Sequence, residues 1–287
     1  MTQDPEWAAA DPPEASQAAV AAARAAGVVI HELRRHEERK AARRLFEDVW
    51  RPEVGDPPPM TAELLRALGH AGNYVVGAFA GGPGARMAGA SAGFFTAPPE
   101  CALHSHITGV APGEEHRGVG FALKLHQRAW ALARGVPLVV WTFDPLVARN
   151  AWFNLAKLGA LPTAYLEDFY GPMTDAINAG TASDRLLLAW RLRDPAVAAA
   201  CAGRPRQPPP VRAEAALAVG PDRAPVATPT DAAAVTVAVP PELEALGPEL
   251  RHAWRAAVRE ALGGRLAAGA AVTGFLRDHD RYLVERA

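Results

Sequence analysis

The chain has 287 residues, is 49 % apolar and carries a formal charge of −1. That length suits one large domain or two modest ones with a sizeable core. The near-neutral balance gives no electrostatic ground for nucleic acid or an anionic membrane as partner. No apolar run approaches the roughly 18–20 residues that span a bilayer. Cys101 and Cys201 are too few and too isolated for a disulfide framework or a zinc knuckle. The segment Met1-Thr2-Gln3-Asp4-Pro5-Glu6 lacks the charge order of a signal peptide, so a cytoplasmic location is the expectation.

In chain order, residues 1–26 are rich in Ala, Pro and acids and read as a flexible arm or one Ala-rich helix ending at Gly27. Val28 to Ile30 reads as a strand. A charged helix follows, with Leu45, Phe46 and Val49 as its apolar stripe, and Pro52 and Pro57 to Pro59 break it before a second short helix over Met60–Leu68. Three strands are predicted next, over Tyr74–Ala80, Met87–Phe95 and Ala102–Val110. The glycines and proline of 81–84 form a hairpin connection between the first two. In the third strand, period-two alternation puts His104, His106, Thr108 and Val110 on one face. Pro112-Gly113 turns the chain into a helix starting near Gly118. There Val119, Ala122, Leu123, His126, Trp130 and Ala133 keep helical spacing, with Lys124 and Arg128 on another, solvated face. Leu138–Phe143 is a fully apolar strand of buried type. A helix over Arg149–Leu158 and a strand over Leu186–Leu192 follow. Residues 203–230 read as a linker. Ala233–Val239, Leu250–Leu266, Val272–Leu276 and Tyr282–Val284 then read as strand, helix and two strands, with Trp254 and Val258 facing inward. The fold class expected is α/β, a mixed, mostly antiparallel sheet flanked by helices, with a small C-terminal β-α-β extension. The expected organisation is an arm over 1–26, a main domain over 27–193, and a linker plus C-terminal extension over 194–287 packed on it.

The segment from Gly109 to Gly120 is the most informative. It joins a strand to an amphipathic helix, and such a turn offers unpaired backbone N–H groups where the helix dipole also favours negative charge. Gly118 and Gly120 remove side chains that would hold a pyrophosphate away from the amides of Gly118, Val119 and Gly120, and Arg117 can add a charged contact. There is no Gly-Lys-Ser/Thr ending, so this is not a nucleoside-triphosphate loop. The third glycine of a dinucleotide fingerprint is replaced by Leu123. A glycine-rich turn with no ligand is the plainer alternative.

With Val110-x-Pro112 followed by Gly118-x-Gly120 at the usual spacing, the segment resembles the signature of the GNAT superfamily of acyltransferases. One position departs: the family's Gln or Arg falls on Glu115. The resemblance extends over roughly residues 27–193. Thr142 to Leu146, Arg149-Asn150-Ala151 and Lys157 to Ala160 look like the family's fifth strand and fourth helix. The family tyrosine used as general acid falls on Leu155. His104 to Gly109, Thr142 to Pro145, Tyr165 through Tyr170-Gly171, and Ser183-Asp184-Arg185 are similar to a bacterial branch that includes succinyl-CoA-dependent N-succinyltransferases of amino acids. The resemblance implies an acyl-CoA co-substrate, acetyl-CoA or succinyl-CoA, and a small-molecule amine or amino acid as acceptor. It also implies no metal, and relatives of this fold form dimers. A non-catalytic acyl-CoA sensor on the same fold is the alternative.

Acyl transfer to an amine needs alignment, a base, stabilisation of the oxyanion and protonation of the leaving thiolate. The resemblance assigns the oxyanion to a backbone N–H of Thr108, Gly109 or Val110, and Asn150 to the cofactor. His106 suits a general base and His104 a substrate contact, both by type and by position on the strand, although either serves equally as a core histidine. A metal bound by His104 and His106 lacks a third ligand at recognisable spacing. Asp144 sits at the exit of an apolar strand, as a catalytic carboxylate or a local turn former. Asn150 can instead cap the next helix. Tyr170 is the substitute acid, or a structural aromatic. Arg185 suits a carboxylate of the substrate, or pairs locally with Asp184. Lys124 and Arg128 can reach the 3′-phosphate of CoA, or form a solvated face. Neither cysteine lies at the site's core, so direct attack rather than an acyl-enzyme is expected.

Overall fold

The computed structural model describes residues 13–53, 55–81, 85–171 and 182–286. It divides into two compact units, the first running to Val140 and the second beginning at Trp141.

In the first unit, helix α1 (Pro13–Ala25) leads into strand β1 (Val28–Glu32) and helix α2 (His36–Trp50). Glu38, three residues into α2, accepts the backbone N–H groups of Arg34 and Arg35 and so caps the orphan donors of that end. Arg51 closes α2 in the left-handed conformation. Helix α3 (Ala62–His70) starts where the Thr61 hydroxyl accepts the Leu64 N–H. Strands β2 (Tyr74–Ala80), β3 (Met87–Phe95) and β4 (Leu103–Val110) run as an antiparallel meander beside β1. The hairpin connection expected between β2 and β3 falls largely outside the described residues, at 82–84. Helix α4 (Val119–Leu132) precedes β5 (Leu138–Phe143), whose first residues pair parallel with β4 at Leu103↔Val139 and His104↔Val140.

Each face of this meander carries a helix layer. Leu45 and Phe46 of α2 pack with Ala90, Ala92 and Ile107 on one face. Phe46 is fully buried, so Phe46→Ala removes about 3–5 kcal/mol of packing. On the other face, a Cβ on Gly89 of β3 would meet Val119 and Leu123 of α4 at 2.9 and 3.0 Å, so a side chain there would displace α4. Helix α1 packs on α4, with Ala15 and Ala19 buried. That second layer is why α4 is enclosed nearly all round.

In the second unit, the end of β5 is followed by α5 (Ala148–Trp152) and a wider π-turn over Phe153–Lys157. Strand β6 (Leu161–Leu166) pairs antiparallel with β7 (Arg185–Arg191), and the order is β5-β7-β6. Helix α6 (Pro195–Cys201) starts on an Asp194 cap with proline in its first turn. The stretch 203–230, read as a linker, contains strands β8 (Glu214–Val219) and β9 (Pro225–Ala227). Its prolines lie between and at the ends of strands, where no ladder hydrogen bond is lost. Strand β10 (Ala234–Ala238), helix α7 (Pro248–Val258), β11 (Ala271–Leu276) and β12 (Arg281–Glu285) complete a five-stranded sheet of order β11-β12-β10-β8-β9. Trp254 and Val258 are fully buried, as their spacing predicts. The class is the mixed, mostly antiparallel α/β sheet flanked by helices that the sequence leads one to expect, with a larger C-terminal sheet than the β-α-β pattern suggests.

Candidate functional site

The turn after β4 is built by backbone conformations that few residues tolerate. Gly118 caps α4 at φ 85°, ψ 5°, a left-handed geometry that favours glycine. Helix geometry leaves the Val119 and Gly120 N–H groups without intrahelical acceptors. At Gly120 a Cβ would meet Val110 alone among the described residues, at an unstrained 3.6 Å. Packing among the described residues therefore does not require glycine there.

Acidic residues organise the same turn. Glu114 is buried and holds Arg86 and Arg117, the latter at 2.8 Å. Arg117 is thereby anchored through Nη1, with half its side chain exposed. Glu115, the departure from the signature, is exposed, and its carboxylate accepts the Gly113 N–H at 2.6 Å. It folds back on its own turn, and Arg117 is engaged by Glu114 rather than offsetting Glu115.

Strand β4 differs from simple alternation. The β3–β4 register passes from Ala92↔Ile107 to Gly93↔Ser105, so His106 is the extra residue of a bulge. Alternation switches phase there. The Thr108 hydroxyl meets Ser91 at 2.8 Å, and Val110 lies under Gly120, both on the α4 face. Ile107 packs with the α2 cluster, and His104 and His106 both lie against Phe94, at ring distances of 5.0 and 5.7 Å. The expectation that His104, His106, Thr108 and Val110 share one face is therefore corrected: the histidines and the Thr108–Val110 pair point to opposite faces. Backbone alternation adds a second refinement. Ala111 donates to Ala88 at 2.9 Å, which makes Ala90↔Gly109 a hydrogen-bonded pair and directs the N–H groups of Thr108 and Val110 to the opposite edge of β4. Of the three amides proposed for the oxyanion, Gly109 is thus committed to β3.

His104 is half-buried and His106 exposed. Partial desolvation of the rings lowers the pKa of both below the usual histidine value, that of His106 although the residue as a whole reaches solvent, and nearby His106 and Lys124 lower His104 further. In both rings the neutral, proton-accepting form is thereby favoured. Lys124 is not on a solvated face. It is buried, donates to Ser105 at 2.8 Å and Gln127 at 3.2 Å, and desolvation pulls its pKa down to about 7. Arg128 is buried as well, with Glu14 of α1 at 3.5 Å. Lys124 is turned onto Ser105 of β4 and Arg128 onto Glu14 of α1, which accounts for the two corrections and removes these side chains as 3′-phosphate contacts.

The second unit holds the other expected residues. Asp144 forms a bidentate ion pair with Arg255 at 2.6 and 2.7 Å and accepts the Leu146 N–H. Both carboxylate oxygens of Asp144 are thus engaged by Arg255. Asp184 is fully buried and pairs with Arg259 at 2.6 Å and with the Tyr165 hydroxyl at 2.7 Å, not with Arg185. Arg185 donates to the Asp184 carbonyl and lies over the Tyr170 ring at 5.3 Å. The Tyr170 hydroxyl is 3.1 Å from the Thr142 hydroxyl, on an exposed side chain. Asn150 is exposed within α5, whose N-cap is Val147, so it is not the cap. Leu155 is buried within the π-turn. Sequence reasoning missed Glu114, Ser105, Arg255 and Arg259. The signal for Lys124 was present: Ala122, Leu123 and Leu125 flank it on several sides of the helix.

Among the described residues no helix is long and apolar enough to cross a membrane, and no group of three His, Cys, Asp or Glu side chains is placed to hold a metal ion. No protein-family model and no curated protein sequence matches the chain. Solved structures do. RimJ of Mycobacterium smegmatis, determined with CoA-disulfide, is 17 % identical, covers 63 % of this chain and 92 % of its own, with a TM-score of 0.47. The ribosomal-protein-S5-alanine acetyltransferase of Vibrio fischeri is 14 % identical over 58 % of this chain and 94 % of its own, with a TM-score of 0.46. The ribosomal-protein-S18-alanine N-acetyltransferase of Escherichia coli is 15 % identical over 57 % and 94 %, with a TM-score of 0.44.

Proposed function

We propose that the chain is an acyl-CoA-dependent N-acyltransferase that binds the pyrophosphate of its donor at the β4–α4 turn. The observation that carries this reading is Gly120: an open glycine that packing does not demand, beside unpaired amides at a helix N-terminus, one residue after a left-handed Gly118. In this reading the Thr108 or Val110 amide donates to the thioester oxygen as it gains charge. The neutral amine attacks the thioester carbon. His106 takes the proton that the nitrogen sheds, and the C–S bond breaks to release CoA thiolate. Tyr170 as the acid for that thiolate, Arg185 as the contact for a substrate carboxylate, and Asn150 as a cofactor contact are the finer parts of the proposal. So are a succinyl donor, an amino-acid acceptor and a homodimer.

A sensor that binds acyl-CoA without turnover is the second reading, favoured by Leu155, a buried apolar residue where the resemblance expects an acid. Calorimetric titration with CoA tests the part common to both. Gly120→Leu should weaken CoA binding ~tenfold or more, about 1.4 kcal/mol, with the fold intact. Unchanged CoA affinity in that variant would remove the turn from the account.

A further inference from the structure

A cavity of about 380 Å³ in the first unit plays no part in the proposed reaction. It opens where β1 ends, α2 begins, α3 ends and β2 begins. In the β2–β3–β4 register Val75 is opposite Ala92, and Ala92 is opposite Ile107. The cavity thus belongs to the end of the sheet where β4 starts, not to the end where Val110 enters the turn.

Its lining is strongly cationic: Arg34, Arg39, Arg66 and Arg134, with His70 and a single carboxylate, Glu32. Glu32 is already shared, at 3.0 Å from Arg34 and 3.7 Å from Arg134. Glu38, nearby on α2, is occupied by Arg35, His31 and the capped amides. Arg39 is left without a carboxylate among the described residues. It is only 7 % exposed, its Nη2 donates to the Arg34 carbonyl at 2.6 Å, and its Nε has no hydrogen-bond partner among the described residues. A buried guanidinium without a carboxylate is costly unless an anion answers it, and here that anion would meet the part of Arg39 that lines the cavity, Nε itself being closed off. A cavity walled by three more guanidinium groups is shaped to supply one.

We infer that this cavity is a binding site for a small oxyanion of two or more negative charges, a phosphate group or a di- or tricarboxylate, separate from the acyl-donor turn. Arg39 forms its floor and Arg34, Arg66 and Arg134 its rim, where guanidinium forks match such oxygens in pairs.

The test is thermal unfolding and calorimetric titration with inorganic phosphate and, separately, with citrate, at constant ionic strength, with and without saturating CoA. Phosphate or citrate should raise the melting temperature beyond a chloride control, in the presence of CoA as in its absence. The oxyanion that does so identifies the source. Arg66→Glu, on the exposed face of α3, should weaken that binding ~tenfold or more while CoA binding stays unchanged. Arg66→Gln, a milder change, gives the same direction if the first variant folds poorly. No stabilisation by either oxyanion would overturn the inference, as would stabilisation that survives both variants or vanishes when CoA is added.

Discussion

The turn after β4 and the cluster around Asp144 and Asp184 are each made of polar groups, yet they use them in opposite ways. In the turn, the amides of Val119 and Gly120 have no helical acceptor, and Glu114 anchors Arg117 while half its side chain stays in solvent. In the second unit, each carboxylate is answered by an arginine from the segment 255–259, with hydrogen bonds at 2.6–2.9 Å. Groups whose capacity is spent hold a fold together. Groups whose capacity is open are where a ligand gains binding energy. Residue type alone does not separate the two, since Asp144 and His106 are equally good candidates until their partners are known.

The contrast can be broken by substitution. The largest effect should be on rate: His106→Gln is expected to lower turnover by roughly 10²–10⁴-fold without changing CoA affinity. Its counterpart Asp144→Asn should leave turnover of the folded enzyme within about twofold while lowering its stability. Steady-state kinetics beside urea unfolding separates these outcomes, and the reverse pattern would exchange the roles of the two regions. On stability, Asp184→Ala strips partners from Arg259, Tyr165 and the Asp168 amide, and is expected to lower the unfolding free energy from urea titration by about 3–5 kcal/mol.

pH gives a second handle on the comparison. The pKa of His106 is lowered in the folded protein, so its neutral, proton-accepting form persists below the usual histidine range. The rate should fall on acidification through that lowered value. In His106→Gln this limb should disappear from the pH–rate profile. The linkage for Asp184 runs the same way in stability. Desolvation pushes its folded pKa up, but the hydrogen bonds from Arg259, the Asp168 amide and Tyr165 together outweigh it and leave the pKa depressed, so its contribution is present above the unfolded carboxylate value and lost as pH falls through the folded one. The smallest expected effect is Glu115→Ala, which frees the exposed Gly113 amide. It should shift CoA affinity by less than about 1 kcal/mol, in favour of binding if the pyrophosphate uses that N–H.

Much of the fold was legible because period and punctuation agree. The strands 74–80, 87–95 and 138–143 have the predicted bounds, each an apolar run ended by glycine, proline or a polar turn. The glycine turn was legible for a similar reason, since Gly118 needs its positive φ and announces it. What failed depended on neighbours distant in sequence. Lys124 looks solvated until Ser105 of β4 is placed beside it, Arg128 until Glu14 of α1 is, and Asp144 looks free until Arg255 arrives 111 residues later. The bulge at His106 carries no local signature, yet it moves the two histidines to the face opposite Thr108. Strands β8 and β9 were hidden by the prolines between them and at their ends.

Release of free thiol from acetyl-CoA and succinyl-CoA against a panel of amines and amino acids tests the central claim most directly. The account predicts thiol release that requires an amine, and that Gly120→Leu and His106→Gln each suppress, the first through donor binding and the second through rate. Tight CoA binding with no thiol release for any amine would contradict it and leave the sensor. Release that is indifferent to the amine would mean the thioester is being hydrolysed instead.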